Sequence, residues 1–291
     1  MSASDLHHPG VGGKSDASTR EALGGAVDAL AAAGVDSPRL DAELLLCEAT
    51  GWSRSELASD PGQGIPAAAG RRFAEMIRRR LRREPVAYIL GRKGFRHIEL
   101  TVDRRVLIPR PESEMLVELA LELRPRRVLD VGTGSGAIAL AIADELPECE
   151  VTATDTSAAA LEVARTNAER LGLAGRVRLC EGTLPPGLDV ARSADFDLVV
   201  ANLPYVGEVE WPRLEPEVTE WEPREALLAG PDGLDALRAL VPLLSRVAPV
   251  VGFEVGAGQA DAVADMVRSA GFEVAETRRD LAGIERVVVG R

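Results

Sequence analysis

The chain has 291 residues, of which 46% are hydrophobic, and this length can bury the core of one large domain together with a small one. Its net charge of −12 argues against a protein that grips long nucleic acids, because phosphate binding needs an excess of lysine and arginine. Neither a metal site nor a membrane span is expected, since the three cysteines and three histidines show no ligand spacing and no apolar run approaches about 18 residues.

The first third of the chain predicts a short tail followed by a helical domain. Residues 1–17 are rich in glycine, serine and aspartate, which predicts a disordered tail, and they lack the apolar middle of a secretion signal, so we expect a cytoplasmic protein. Apolar residues at helical spacing then predict four helices in a domain over residues 18–84. The helices cover residues 18–33, 37–51, 53–58 and 67–83. The fourth is rich in arginine, which is typical of a solvated face or of a docking surface for an acidic partner.

The pattern changes after Pro85. Three short β-branched runs predict a β-hairpin linker over residues 85–112. These runs are residues 86–90, 98–102 and 106–108. Over residues 113–291 strand-like and helix-like stretches alternate, which indicates a mostly parallel sheet covered by helices on both faces. The last two strand-like runs are close enough in sequence to pair antiparallel.

A strand-like run that leads into a glycine-rich turn predicts a nucleoside pocket. The sequence from Val128 to Ala139 is an apolar strand, a GxGxG turn and an apolar helix, and glycines in such a turn let the backbone approach a ligand closely. Asp155 ends the next strand about 20 residues further on, where a carboxylate can accept hydrogen bonds from both ribose hydroxyls. Together they predict a nucleoside site at the carboxyl ends of the strands.

A nicotinamide dehydrogenase and a purely structural glycine turn are the alternatives for this site. Ala137 stands where the dinucleotide fingerprint has its third glycine, and Asp130 would repel a pyrophosphate but suits a methionine ammonium group. The pattern is similar to that of class I methyltransferases, and this resemblance implies S-adenosyl-L-methionine as the cofactor, S-adenosyl-L-homocysteine as the product and no metal. The residues expected at the cofactor are Asp130, Gly132, Thr133, Gly134, Ser135, Gly136, Asp155, Thr156, Thr183, Leu184 and Asn202.

A tetrapeptide after the fourth strand of the predicted sheet carries the chemistry. An amide nitrogen is a poor nucleophile because its lone pair is delocalised, so an enzyme has to orient it. The side-chain oxygen of Asn202 and the backbone carbonyl of Leu203 can accept its two N–H hydrogens, while Pro204 stiffens the loop and Tyr205 packs on the substrate or the cation. The tetrapeptide resembles the NPPY motif of methyltransferases that act on planar amides or exocyclic amines, with Leu203 in place of a proline.

Four further segments, in order along the chain, resemble the PrmC/HemK family. They are Pro85 to Gly91 with Phe95, Val106 to Glu114 (a PRPxTE signature with Ser113 in place of threonine), Glu222 to Leu234, and Phe253 to Gln259. We expect Arg110, Glu112 and Glu114 to form a polar rim beside the cofactor, with Ser113 capping the following helix. Thr183 stands where the family usually has aspartate, and it can still accept a hydrogen bond from the adenine amine.

The family resemblance implies a specific fold and reaction. The implied fold is α/β: a Rossmann-like class I methyltransferase domain over residues 113–291, whose mostly parallel seven-stranded sheet has an antiparallel last strand, behind the helical domain and the linker. The implied substrate is the glutamine of a Gly-Gly-Gln loop in class-1 peptide chain release factors, held by the helical domain, without direct nucleic-acid or membrane binding. The alternatives are a nucleic-acid exocyclic-amine methyltransferase and a noncatalytic cofactor-binding module.

Overall fold

The computed structural model describes residues 14–188 and 195–291, which divide between Leu90 and Gly91 into two compact units. The first unit is mainly helical. Its elements are the antiparallel strands β1 (Lys14–Ser18) and β2 (Gly64–Pro66) and the helices α1 (Thr19–Ala32), α2 (Pro38–Thr50), α3 (Arg54–Ser59), α4 (Ala67–Leu81) and α5 (Val86–Leu90). The four predicted helices are therefore confirmed.

Local signals set the ends of these helices. Ser18 and Ser53 each begin a helix with a capping box. The serine hydroxyl accepts a hydrogen bond from the backbone N–H of the third helical residue, which is a glutamate (Glu21 or Glu56). The side chain of that glutamate accepts a hydrogen bond from the serine backbone N–H. Gly51 ends α2 in the left-handed conformation. The apolar faces then meet in one core, in which Leu30 and Leu45 are fully buried.

The predicted disordered tail is wrong at its end. Residues 14–18 form β1, which pairs with β2, whereas residues 1–13 lie outside the described residues. The arginine-rich helix α4 also differs from a purely solvated face. Arg80 is buried and its Nε donates to Asp41 Oδ2 over 2.7 Å, and Arg79 pairs with Glu84.

The predicted linker is wrong in two of its three strands. Residues 86–90 form α5, a short helix that follows Pro85 and packs on α2 and α4. Residues 106–108 form no strand, because the Ile108 N–H donates to the Glu222 carboxylate at 3.1 Å instead of to a neighbouring strand. The hairpin itself is confirmed, and it consists of β3 (Arg92–Phe95) and β4 (Ile98–Thr101).

The second unit contains a seven-stranded sheet with the order β10-β11-β9-β8-β5-β6-β7. Its strands are β5 (Arg127–Val131), β6 (Glu150–Asp155), β7 (Val177–Glu181), β8 (Leu198–Ala201), β9 (Val250–Glu254), β10 (Val274–Arg279) and β11 (Glu285–Gly290). Its helices are α6 (Glu114–Leu123), α7 (Ala137–Glu145), α8 (Ala158–Arg170), α9 (Pro216–Thr219), α10 (Asp235–Leu244) and α11 (Ala260–Ser269). The last strand, β11, runs antiparallel to both of its neighbours, while β9, β8, β5, β6 and β7 pair in parallel, as predicted.

Helices cover both faces of this sheet. Along β9, Val251 belongs to the core formed with α10 and α11, whereas Gly252 faces Leu116 and Leu119 of α6. Because neighbouring residues of a strand point to opposite faces, α6 lies on the face opposite α10 and α11. The sheet is thus buried on both sides, and the loops after its parallel strands remain as the place for a site.

Candidate active site

A cavity of about 440 Å³ lies at the carboxyl ends of the parallel strands. Residues that end or follow β5, β6, β7 and β8 form one part of its wall: Val131, Gly132, Gly134, Asp155, Thr156, Ser157, Gly182, Thr183, Asn202, Leu203 and Pro204. The rest is formed by Arg105 to Leu107, by the 3-10 turn near Pro223, and by apolar residues of α8 and α10. This volume, with a mostly apolar wall and a few polar groups, suits a small organic ligand.

Six of the eleven residues expected at the cofactor line this cavity. They are Gly132, Gly134, Asp155, Thr156, Thr183 and Asn202. The other five are not among its lining residues. Thr133 bonds Asp130, the Ser135 carbonyl accepts from Asn167 Nδ2, Gly136 begins α7, and Leu184 packs against the core.

The glycine turn brings the end of β5 against the tetrapeptide after β8. Gly132 has a φ of 77°, and a Cβ there would lie 2.9 Å from Leu203 Cδ2. A side chain at this position would therefore be strained and would also collide with the loop. The Gly132 N–H donates to the Thr154 carbonyl at 2.9 Å, which fixes the turn to β6. Residues 132 and 203 are thus in direct contact on the cavity wall.

Asp130 is fully buried beneath the glycine turn. Its Oδ2 accepts from the Thr133 hydroxyl over 2.6 Å, whereas Oδ1 is buried without a hydrogen-bond partner among the described residues. Burial raises the pKa of Asp130 to about 7, against the lowering effect of the Thr133 hydrogen bond. An unpartnered carboxylate oxygen in such surroundings is costly, so it favours a nearby cation.

Asp155 is held by two backbone donors at the end of β6. Its Oδ2 accepts from the Gly134 N–H at 2.9 Å, and its Oδ1 accepts from the Ser157 N–H at 2.8 Å. These bonds fix the carboxylate on the cavity wall. Each oxygen keeps a lone pair, so the group can still accept hydrogen bonds from a ligand hydroxyl.

The tetrapeptide loop is fixed from several directions. Asn202 Nδ2 donates to Ser113 Oγ at 2.8 Å, and the Gln259 Nε2 donates to the Tyr205 carbonyl at 2.9 Å. Gly233 has a φ of 77°, and a Cβ there would overlap that same carbonyl oxygen. Burial raises the pKa of the Tyr205 hydroxyl to about 12. Asn202, Leu203 and Pro204 line the cavity, while Tyr205 is not among its lining residues.

The residues predicted as a polar rim make contacts of their own. Arg110 forms an ion pair with the buried Glu222, and Glu114 Oε1 accepts from the Arg96 N–H at 3.1 Å. Neither they nor Glu112 line the cavity. The predicted helix cap is wrong, because the Ser113 hydroxyl makes no capping bond to α6 and instead donates to Glu254 Oε2 over 2.6 Å.

Sequence reasoning gave no role to several residues that shape this site. Glu222 holds both the Ile108 N–H and Arg110, and so ties the segment after the hairpin to the loop after β8. Arg105, Val106 and Leu107 line the cavity. The signal for Glu222, Val106 and Leu107 in the sequence is that they stand inside the segments that resemble the PrmC/HemK family, whereas Arg105 precedes such a segment and carries no signal.

Two family models match the chain, one in each unit. The PrmC N-terminal domain matches residues 21–91, and a methyltransferase domain matches residues 128–221. A release factor glutamine methyltransferase from Caulobacter vibrioides is 43% identical over 91% of this chain and 93% of its own length. One from Moorella thermoacetica is 43% identical over 92% of this chain and 96% of its own. The chain belongs to the release factor glutamine methyltransferase family. The resemblance predicted from the four sequence segments is therefore confirmed.

Solved structures support the fold. The catalytic domain of hMettl16, solved in complex with the MAT2A 3′UTR hairpin 6, is 15% identical and superposes with a TM-score of 0.52 over 66% of this chain and 75% of that one. At this identity the likeness concerns the fold alone. The predicted class I methyltransferase fold, with helices before it, is confirmed by the sheet order together with the methyltransferase domain match. Within residues 14–188 and 195–291, no helix is long and apolar enough to cross a membrane.

Proposed function

We propose that this protein transfers a methyl group from S-adenosyl-L-methionine to the side-chain amide nitrogen of the glutamine in the Gly-Gly-Gln loop of class-1 peptide chain release factors. The names and the 43% identity of the family members support the reaction class. The observation that carries the proposal is the contact between the glycine turn and the tetrapeptide loop on one cavity wall, at Gly132 and Leu203. A cofactor held by the glycine turn and an amide held by the tetrapeptide loop would meet at this contact.

The residues of the cavity fit S-adenosyl-L-methionine. Asp155 offers carboxylate oxygens to the ribose hydroxyls, and Thr183 offers a hydroxyl near the end of β7 for the adenine amine. Asp130 does not line the cavity, but its buried carboxylate with the unpartnered Oδ1 lies directly beneath the glycine turn and favours a positive charge above it, as the methionine ammonium carries. The bound cofactor supplies an electrophilic methyl group on a sulfonium.

The tetrapeptide orients the nucleophile. Because Asn202 Nδ2 is taken by Ser113, its Oδ1 is left to accept one N–H of the glutamine amide, and the Leu203 carbonyl accepts the other. The nitrogen lone pair then points at the methyl carbon. Methyl transfer would form the nitrogen–carbon bond as the carbon–sulfur bond breaks, with S-adenosyl-L-homocysteine as the leaving group, and the extra proton on nitrogen would pass to water without a strong base. The helical unit, matched by the PrmC N-terminal domain, is the proposed holder of the release factor.

The test measures methyl transfer to a purified class-1 release factor, with mass spectrometry locating the methyl group. The matched control is the same release factor with the Gly-Gly-Gln glutamine changed to alanine, which should receive none. Asn202→Ala should keep the fold but lower transfer at saturating cofactor about 100-fold or more, since positioning terms are commonly worth several kcal/mol. Asn202→Asp keeps an acceptor of the same size and should keep part of the activity.

The outcomes separate the parts of the proposal. A methyl group on any residue other than that glutamine, or no transfer by the wild type, would overturn the substrate assignment. Wild-type turnover by Asn202→Ala would leave the substrate assignment intact but would show that Asn202 does not orient the amide.

A further inference from the structure

Two buried side chains and the half-buried Asn202 on the cavity wall, from three distant segments, form a hydrogen-bonded chain. Asn202 Nδ2 donates to Ser113 Oγ at 2.8 Å, and Ser113 Oγ donates to Glu254 Oε2 over 2.6 Å. Ser113 is 4% exposed and Glu254 is 2% exposed, so water does not compete for the bond between these two side chains. Glu254 ends β9, next to β8, whose following loop carries Asn202.

The direction of this chain of bonds fixes which end of the Asn202 amide faces the cavity. A hydroxyl has one hydrogen to donate, and an ionised carboxylate can only accept. Ser113 must therefore give its hydrogen to Glu254 and accept from Asn202. Only the Nδ2 end of the amide can donate, so this end is turned to Ser113 and Oδ1 is turned away from it. A carboxylate at position 254 thus selects one of the two orientations of an amide that it does not touch.

Protonation of Glu254 reverses the donor and acceptor order in this chain of hydrogen bonds, and the surroundings of Glu254 set the pH at which this occurs. Glu112 in the turn before α6 repels the charge of Glu254, whereas Arg286 on β11 and the nearby Tyr205 hydroxyl favour it. Burial, as the largest effect, raises the pKa of Glu254 to about 7, while the Ser113 bond opposes the rise. A protonated Glu254 is a donor, so Ser113 is then free to donate to the Asn202 oxygen. That change turns the amide round and presents Nδ2, a donor, where the substrate needs an acceptor.

We propose that Ser113 and Glu254 are positioning residues that hold the Asn202 amide with its oxygen toward the substrate nitrogen. The consequence for catalysis rests on the proposed function, whereas the orientation of Asn202 does not. The proposal gives a role to Ser113, which the sequence suggests only as a helix cap, and to Glu254, which the sequence places only in a segment that resembles the PrmC/HemK family. It also predicts that protonation of Glu254 changes the orientation of the Asn202 amide.

A nuclear magnetic resonance experiment tests the orientation without any substrate. Asn167 and Asn202 are the two asparagines of the chain, so labelling asparagine with ¹⁵N gives two side-chain NH₂ signals, and Asn202→Asp assigns them. The Asn202 signal should shift between pH 5.5 and 8.5 with a midpoint near 7. Asn167, whose Nδ2 donates to the carbonyls of Thr101 and Ser135, is the internal control and should not follow this titration.

Glu254→Gln removes the titrating group and keeps its shape, so it should abolish the pH-dependent shift of the Asn202 signal. An Asn202 signal that does not titrate in the wild type, or that titrates equally in Glu254→Gln, would overturn the proposal. If the signal titrates as expected but the wild type does not methylate a release factor, then the proposed function fails and the assigned orientation stands.

Kinetics on the release factor then test the consequence. Ser113→Ala should lower kcat about 10-fold or more, since buried networks are worth more than a single surface bond, with little change in KM or in cofactor affinity. Ser113→Thr keeps the hydroxyl and should restore most of the rate. In the wild type kcat should fall as the pH drops through about 7, and Glu254→Gln should lose this acidic limb.

A double-mutant cycle separates positioning from a merely structural role. If Ser113 acts through Asn202, Ser113→Ala should cost almost nothing in the Asn202→Ala background. An equal loss in both backgrounds, or a loss that appears only in KM, would overturn the positioning role.

Discussion

Replacing Asp130 by asparagine should make the cofactor-free protein less sensitive to pH. The carboxyl is fully buried with one unpartnered oxygen, and burial raises its pKa to about 7. An aspartate in an unfolded chain titrates near about 3.9. Because the folded-state pKa is the higher one, the stability that Asp130 contributes is fully present below about pH 3.9 and is lost as the pH rises through about 7.

The magnitude follows from this difference in pKa. About three units at about 1.36 kcal/mol each correspond to about 4 kcal/mol over the whole range. Between pH 5.5 and pH 8, stability is lost only up to the folded-state pKa of about 7. This span of about 1.5 pH units corresponds to about 2 kcal/mol. Asparagine leaves an unpartnered donor in the same place, but that cost does not depend on pH and cancels in the comparison.

Denaturant unfolding at pH 5.5 and pH 8 measures the effect. The free energy of unfolding of Asp130→Asn, relative to wild type, should rise by about 2 kcal/mol from the lower to the higher pH. Asp28→Asn, on the exposed side of α1, is the matched control and should show no such rise. A pH-independent difference between Asp130→Asn and wild type would refute the assignment of a costly buried carboxylate.

Two further substitutions test the cofactor site and the helical unit. Asp155→Ala should weaken cofactor binding by about 2–4 kcal/mol, because it removes charge-assisted hydrogen bonds to the ribose, and unchanged affinity in calorimetric titration would contradict that role. Asp41→Asn removes the carboxylate charge from the buried ion pair with Arg80 and should lower the free energy of unfolding by about 3 kcal/mol. Asp36→Asn, at an exposed position, is its control. If both variants lower the stability measured by thermal unfolding by the same small amount, the buried Arg80–Asp41 pair does not stabilise the helical unit.

The regular elements were predictable because their signals are local. The predicted strand before the glycine turn is present as β5 (Arg127–Val131), since its apolar run is followed at once by that turn. The run at residues 86–90 misled because short apolar stretches fit a strand or a buried helix equally well, and packing on α2 and α4 decides. Residues 106–108 look like a strand, but Glu222, 114 positions from Ile108, takes the N–H that a strand partner would need.

The site was predictable in its glycine turn and tetrapeptide but not in what supports them. Ser113 stands before a helix, where a serine is usually a cap, yet its hydroxyl donates to Glu254, 141 positions away. Asp130 was expected to face a ligand, and the sequence could not tell that it lies under the turn and not on the cavity wall. Such pairings depend on which strands become neighbours, and this information is absent from local spacing.

The strand order gives the cavity a further property. From β5 the chain adds β6 and β7 on one side of the sheet and β8 and β9 on the other, and the cavity lies where the first residues after β5 and β8 meet. Residues proposed to hold the cofactor, such as Asp155 and Thr183, follow strands of the first group, whereas Asn202 and Glu254 belong to the second. The cavity thus joins two groups of loops, with the residues proposed for the donor on one side of the sheet and the residue proposed to orient the acceptor on the other.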